Sequence, residues 1–235
     1  MDFFVVNPKK YDIIIVIFKK RKDFFMQGAI FDIDGTLLDS MDSWNNATTL
    51  FYTRRNLTLT NEEFEFFKSV TLNESFPYIK ERYNLSMTLD EIREEFSGII
   101  LNEYKYNIQL KPYADEYLKL LKSNGVKLAC ATSTRAEYCI PAFKRLGIFE
   151  LFDTFSYSDE VSVNKSKPDV YLLAAKRLGL KPCNCTVFED ISIGIKSAKS
   201  AGFKTCAVFD KTNENETDIL KSQADKYIKS WKELL

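Results

Sequence analysis

Two aspartates at the end of a short apolar run are the residues whose spacing most clearly suggests chemistry. Asp32 and Asp34 follow the apolar residues 29–31, and Gly35 and Thr36 come next. Side chains alternate along an extended strand, so the two carboxylates should project to the same side. Gly35 permits a turn that a Cβ atom would oppose. The pattern indicates a paired-carboxylate site, with an exposed acidic turn as the alternative.

Three further groups that could bind or react lie near the ends of other strand-like runs. They are Thr132, Lys165 and the acidic pair of Glu189 and Asp190. In an open parallel sheet, ligands bind in the crevice beyond the carboxyl ends of the strands. The sequence therefore predicts that these groups meet Asp32 at one edge of a sheet.

Each of these three groups has a competing interpretation. Ser133 and Thr134 adjoin Thr132 and offer similar hydroxyl groups, and Lys167 competes with Lys165 for the role of a site lysine. The acidic pair could instead cap the helix that follows it, since carboxylates are favoured at helix N-termini.

The elements that must position these residues follow a regular alternation from Met26 onwards. Strand-like apolar runs cover residues 29–31, 126–131, 154–158, 185–188 and 205–209. Apolar residues at helical spacing fall in residues 113–123, 136–146, 168–178 and 193–201. Alternating strands and helices predict an α/β fold with a Rossmann-like parallel sheet covered by helices on both faces.

One long stretch, residues 41–108, breaks the alternation with helix-like segments and no convincing strand. We interpret it as an inserted α-helical cap, with residues 26–40 and 109–235 forming the α/β core. Residues 1–25 are interpreted as an N-terminal extension that is disordered or not native. Their apolar run, residues 13–18, is too short for a bilayer, which needs about 20 residues. An amphipathic membrane contact is the alternative for this segment.

The composition excludes several classes of function. Lysine plus arginine and aspartate plus glutamate both total 33, so nothing indicates nucleic-acid binding. The sequence has no histidine, which excludes Ser-His-Asp and Cys-His catalysis and histidine-ligated zinc. Its five cysteines are odd in number and form no CxxC pair, which predicts reduced thiols in a cytoplasmic protein.

The run Asp32-Ile-Asp-Gly-Thr-Leu-Leu-Asp-Ser40 resembles the first motif of haloacid dehalogenase-type phosphatases, and three further motifs follow in the family's order. The similarity extends over nearly all of the chain from Met26. The resemblance implies that Asp32 is the nucleophile that becomes an aspartyl-phosphate. It also implies that Asp34 is first the general acid and then the base, with its backbone carbonyl on the metal. Thr132 would donate a hydrogen bond to the transferring phosphoryl group.

The third and fourth motifs depart slightly from the family pattern. Lys165 would neutralise phosphoryl charge, although Ser166 replaces a proline common in the family. Asp32, Asp34, Glu189 and Asp190 would bind Mg²⁺, although Ile191 stands where a serine is usual. Ligands that are all oxygen atoms favour Mg²⁺ as the cofactor. No other cofactor is expected.

The resemblance is to the β-phosphoglucomutase-like and phosphatase subgroup, whose cap selects the substrate. Leu72, Asn73 and Glu74 are the cap residues expected to contact the leaving group. Phosphomutases carry a histidine near the position of Trp44 and an arginine near Leu72, so hydrolysis is favoured over phosphoryl transfer.

The sequence therefore predicts a magnesium-dependent phosphatase acting on a small phosphorylated metabolite, such as a sugar phosphate. The alternatives are a β-phosphoglucomutase-type phosphomutase, a metal-independent dehalogenase and a catalytically silent binding module. We expect no nucleic-acid partner, no membrane span and a monomer or weak homodimer.

Overall fold

The computed structural model describes residues 26–69, 72–161 and 163–235. The predictions for residues 1–25 therefore lie outside the described residues. A six-stranded, all-parallel sheet runs in the order β3-β2-β1-β4-β5-β6. Its strands are β1 (Gly28–Phe31), β2 (Lys127–Thr132), β3 (Thr154–Tyr157), β4 (Cys185–Glu189), β5 (Lys204–Val208) and β6 (Lys226–Ile228). The α/β fold with a Rossmann-like parallel sheet is thereby confirmed.

Nine α-helices surround this sheet or lie in the insertion, within the described part of the chain. The insertion carries α1 (Met41–Thr53), α2 (Asn61–Ser69), α3 (Leu72–Arg82) and α4 (Leu89–Tyr106). The sheet is accompanied by α5 (Ala114–Ser123), α6 (Ala136–Arg145), α7 (Asp169–Leu178), α8 (Ser192–Ser200) and α9 (Thr217–Gln223). Across the described residues, none of the helices has the length and apolarity needed to cross a bilayer.

Both faces of the sheet are buried, which explains why its strands are almost continuously apolar. Alternate side chains of a strand point to opposite faces. Leu128 and Cys130 of β2 pack on one face with side chains of α5 and α6. Ala129 and Ala131 pack on the other face with side chains of α7 and α8. The two helical layers therefore hold the strand ends at a fixed edge.

The four inserted helices have an aromatic interior centred on Phe96 of α4. The rings of Trp44, Phe51 and Phe76 have centroids 6.3, 6.4 and 5.5 Å from that of Phe96. Aromatic rings in contact at such distances add to the free energy gained by burying their area. The helices lie within the range 41–108 that the sequence assigns to a cap.

The two chain crossings between the insertion and the sheet run side by side. Leu38 and Leu110 form an isolated antiparallel bridge. The Asp39 amide donates to the Gln109 carbonyl at 2.9 Å, and the Lys111 amide donates to the Leu37 carbonyl at 2.8 Å. Because the crossings are hydrogen-bonded to each other, the insertion enters and leaves the core at one place, next to the first motif.

Candidate active site

The carboxyl ends of three adjacent strands form the base of a small pocket. Strand β1 lies between β2 and β4, and Phe31 is in register with Cys130 and Phe188. The residues that follow or end these strands therefore become neighbours. A pocket of about 280 Å³ is lined by a set that includes Asp32, Asp34, Thr132, Lys165, Glu189 and Asp190. The structure thus brings together the predicted site residues that lie outside the insertion.

Lys165 is the only described lysine that lines this pocket. Its ammonium group donates to Asp32 Oδ1 and to Glu189 Oε1, and the whole residue is 7% exposed. The Ser197 hydroxyl in α8 donates to the Lys165 carbonyl at 2.6 Å and so fixes the loop that carries the lysine. The competing lysine, Lys167, is exposed. The structure therefore favours Lys165 over Lys167 as the site lysine.

Three buried carboxylates in this pocket could hold a metal ion together. Oxygen atoms of Asp32, Glu189 and Asp190 all lie within 4.8 Å of one another. Burial raises the pKa of Asp32 to about 7, against the opposing effect of Lys165. Burial also raises the pKa of Asp190 well above its usual value, and the neighbouring Glu189 carboxylate adds to the rise.

The charges and donor atoms of this cluster fit Mg²⁺. Three acidic groups face one ammonium group, so an added divalent cation would offset the cost of keeping them ionised in a buried site. All of the candidate donors are oxygen atoms, which Mg²⁺ prefers. The Asp34 side chain does not belong to this cluster, and coordination through its backbone carbonyl stays a prediction.

The Asp190 carboxylate is oriented by two residues whose contact with it the sequence alone did not predict. The Thr36 hydroxyl donates to Asp190 Oδ1 at 3.0 Å, and Asn213 Nδ2 donates to Asp190 Oδ2 at 2.7 Å. Ile191, and not an acidic residue, occupies the N-cap position of α8. The structure therefore does not support helix capping by the acidic pair as its main role.

Gly35 allows the first motif to approach Asp190. Its φ of 77° lies in the left-handed region, and a Cβ atom there would overlap the Asp190 carboxylate. We expect Gly35→Ala to lower the free energy of unfolding by more than the ~1 kcal/mol that left-handed backbone costs a non-glycine residue. We also expect it to impair Mg²⁺ binding. Urea unfolding and metal titration by calorimetry measure the two effects.

Gly98 provides the matched control for that substitution. It lies exposed within α4, and an added Cβ would meet nothing within 4 Å. Gly98→Ala should therefore stabilise the protein by up to about 1 kcal/mol, because alanine is the better helix former. If Gly35→Ala were tolerated as well as Gly98→Ala, the close approach to Asp190 would not matter.

The Asp34 carboxylate lies where the small pocket meets a larger cleft, and three hydroxyl groups hold it. The Ser40 hydroxyl donates to Oδ1 at 2.5 Å, the Tyr104 phenol also donates to Oδ1, and the Thr134 hydroxyl donates to Oδ2. Burial raises the pKa of Tyr104 well above its usual value, so the phenol is a neutral donor. The backbone amide of Thr134 donates to Thr132 Oγ1 at 3.0 Å. Of these partners, Tyr104 carries no local sequence signal.

The larger cleft adjoins the pocket and has a volume of about 1090 Å³. Its walls include apolar side chains of the insertion, among them Trp44, Phe64 and Phe76, together with the cationic Arg93 and Arg135. Within the described residues, the structure does not place the three predicted cap contacts, Leu72, Asn73 and Glu74, in this cleft. Glu74 is exposed and is not among the described residues that line the cleft. The side chains of Leu72 and Asn73 lie outside the described residues.

Comparison with known proteins agrees with this fold. The family model described as haloacid dehalogenase-like hydrolase matches residues 29–208. The "Probable pseudouridine-5'-phosphatase" of Drosophila melanogaster is 33% identical over 211 residues, covering 83% of this chain and 89% of that protein. The "Phosphorylated carbohydrates phosphatase" of Thermotoga maritima is 28% identical over 179 residues, covering 76% of this chain and 83% of that protein.

A solved structure shows the same architecture. The HAD hydrolase of Entamoeba histolytica, family IA, variant 3, superposes with a TM-score of 0.75 at 26% identity, covering 89% of this chain and 96% of that chain. This chain therefore belongs to the haloacid dehalogenase-like hydrolase family. The Drosophila melanogaster and Thermotoga maritima relatives are both named as phosphatases, which confirms the prediction of an enzyme of the phosphatase class.

Proposed function

We propose that this protein is a Mg²⁺-dependent phosphatase that hydrolyses a small phosphorylated metabolite through a phosphorylated Asp32. The observation that carries the proposal is the position of Lys165. Its ammonium group joins Asp32 to Glu189 at a pocket that opens beside the larger cleft. A nucleophilic carboxylate, a cationic group and further acidic ligands are the parts that this chemistry needs.

The first step forms a bond between an Asp32 carboxylate oxygen and phosphorus. The ester bond between phosphorus and the leaving oxygen breaks, and Asp34 supplies a proton to that oxygen. Lys165 and the Thr132 hydroxyl would stabilise the phosphoryl oxygens. Asp32 attacks as the anion, and its pKa of about 7 shows that burial opposes ionisation while Lys165 favours it.

The second step releases the phosphate. Asp34, now deprotonated, accepts a proton from a water molecule whose oxygen attacks the phosphorus. The bond from phosphorus to Asp32 breaks, and the carboxylate is regenerated. Three hydroxyl donors keep the Asp34 carboxylate in one place through both steps. Fixed geometry of this kind lowers the barrier to proton transfer.

Asp32, Glu189 and Asp190 would hold the Mg²⁺ ion. When bound, the ion would neutralise the acidic cluster and polarise the phosphoryl group. The large cleft supports a leaving group of metabolite size, and the relatives' names point to phosphorylated carbohydrates and a nucleoside phosphate. The cytoplasmic location and the monomeric or weakly dimeric state remain part of the proposal.

Removal of the metal should abolish phosphate release reversibly. We expect EDTA to lower kcat/KM by at least about 100-fold, because the ion supplies several kcal/mol of transition-state stabilisation. Added Mg²⁺ should restore it, with phosphate release measured over a panel of phosphorylated metabolites. Full activity in EDTA would contradict the metal role. Return of the phosphoryl group to the sugar, without net release, would instead favour the phosphomutase.

A further inference from the structure

The Tyr104 phenol is a contact between the helical insertion and the reacting groups. Tyr104 belongs to the last turn of α4 and is completely buried. Its hydroxyl donates to Asp34 Oδ1, while Trp44 Nε1 of α1 donates to the Tyr104 hydroxyl oxygen at 3.2 Å. Two helices of the insertion therefore contribute to one hydrogen-bonded chain that ends on Asp34.

Tyr104 is packed and hydrogen-bonded on several sides, which favours the position of its hydroxyl beside Asp34. Its ring stacks on that of Tyr138 of the core, with centroids 5.9 Å apart and planes at 25°. The ring of Trp44 meets it edge to face at 6.3 Å. The guanidinium group of Arg145 donates to the Tyr104 carbonyl at 3.2 Å and to the Ile108 carbonyl. Packing of this kind fixes a side-chain rotamer.

The two other donors to Asp34 do not come from the inserted helices. Ser40 precedes α1 and Thr134 follows β2. Among the described residues, Tyr104 is therefore the hydrogen-bond donor that links the inserted helices to Asp34. Without it, Oδ1 would keep the Ser40 hydroxyl and Oδ2 would keep the Thr134 hydroxyl. The carboxylate would then be less constrained toward the cleft.

We propose that Tyr104, supported by Trp44, is a positioning residue that aims the Asp34 carboxyl group at the leaving oxygen. The inference rests on the proposed function, in which Asp34 transfers the proton. The helical insertion then has two roles, because it forms walls of the cleft and also orients the Asp34 carboxyl group. Proton donation matters most when the leaving group is a poor one, so the type of ester reports on this role.

The test compares Tyr104→Phe with the wild-type enzyme on two kinds of ester in saturating Mg²⁺. One is p-nitrophenyl phosphate, whose leaving group departs without a proton. The other is the sugar phosphate that the wild-type enzyme hydrolyses fastest. We expect kcat/KM to fall about 10- to 100-fold for the sugar phosphate, a part of the usual gain from general acid catalysis. For p-nitrophenyl phosphate it should fall less than about 3-fold, since no acid is needed there.

Tyr52→Phe is the matched control for loss of a buried phenol from the insertion. The Tyr52 hydroxyl has no hydrogen-bond partner among the described residues, and Tyr52 does not line the cleft. Its removal should leave both esters unaffected. Trp44→Phe keeps the Tyr104 phenol but removes the donor behind it, and should give the same selective loss in smaller measure.

If the ratio of kcat/KM for the two esters were the same in Tyr104→Phe as in the wild-type enzyme, the inference would be overturned. If Tyr104→Phe failed to fold by circular dichroism, the ratio of the kcat values of Trp44→Phe on the two esters would decide, because kcat at saturating ester is independent of the contribution of Trp44 to binding in the cleft. An unchanged kcat ratio would overturn the inference equally. The variant Asp32→Asn serves to distinguish failure of the Tyr104 inference from failure of the proposed function. Wild-type phosphate release no higher than that of Asp32→Asn would refute the proposed function, whereas an active wild type with an unchanged ratio refutes the role of Tyr104 alone.

Discussion

Asp32→Asn should lower phosphate release by at least about 10³-fold, as removal of a covalent nucleophile commonly does. An amide oxygen at this position is too weak a nucleophile to attack phosphorus, and Lys165 would keep only its ion pair with Glu189. Asp32 is buried, so a replacement must have nearly the same shape to leave the packing undisturbed. Asparagine meets this condition and should preserve the fold. The measurement is phosphate release in Mg²⁺, together with trapping of the phosphorylated enzyme from labelled substrate.

Asp39→Asn is the matched control within the same motif. Asp39 is exposed and does not line the small pocket, so its loss of charge should leave kcat/KM within about 2-fold of wild type, as for surface substitutions in general. Labelled phosphate should appear on the wild-type and Asp39→Asn proteins but not on Asp32→Asn. Phosphorylation of Asp32→Asn at the wild-type level would mean that another residue is the nucleophile.

Lys165→Met should have the second large effect, and it should appear in stability as well as in turnover. The Lys165 ammonium group is buried between Asp32 and Glu189. Its removal leaves two buried carboxylates facing each other, which typically costs about 3–5 kcal/mol. We expect a loss of that size in metal-free urea unfolding at pH 8. Phosphate release should fall by at least about 100-fold, because the phosphoryl charge loses its ammonium partner.

The stability deficit of Lys165→Met should depend on pH and on metal. Burial already raises the pKa of Asp32 to about 7 with the lysine present, so the folded state binds a proton more tightly than the unfolded chain. Stability then falls as pH rises from about 4 through 7, and loss of Lys165 should extend that fall to higher pH, because the lysine holds the pKa of Asp32 down. The deficit should therefore shrink toward pH 4. Saturating Mg²⁺ should also reduce it, because an ion that binds the folded state stabilises that state.

Lys167→Met separates this role from a general effect of lost lysines. Lys167 is two residues away and exposed, so its replacement should change neither stability nor turnover appreciably. An equal effect of the two substitutions would show that the pairing of Lys165 with Asp32 and Glu189 is not what matters.

Much of the fold was predictable because its signals are local. The apolar runs that became β1, β2 and β4 ended within a residue or two of their predicted positions, and the amphipathic runs became helices. Strand β6 (Lys226–Ile228) was missed, since three residues are too short for a detectable period. It is a strand because β5 offers it an edge to pair with.

The residues expected to react were also visible in the sequence, because the chemistry itself restricts their types and spacing. Asp32 and Asp34 share one short motif, and the acidic pair follows another strand. Residues that follow the carboxyl ends of parallel strands lie at the same edge of the sheet, even when they are far apart in the chain.

Several residues that orient the reacting groups were decided by the tertiary structure alone. Tyr104 lies 70 positions from Asp34, Asn213 lies 23 from Asp190, and Tyr171 donates to Glu189 at 2.8 Å from 18 positions away. No local pattern distinguishes these side chains from ordinary core or surface residues. Which hydroxyl or amide reaches a given carboxylate depends on how helices pack against the sheet. The sequence by itself therefore determined the fold class and the candidate reacting groups, and packing chose the partners that hold them.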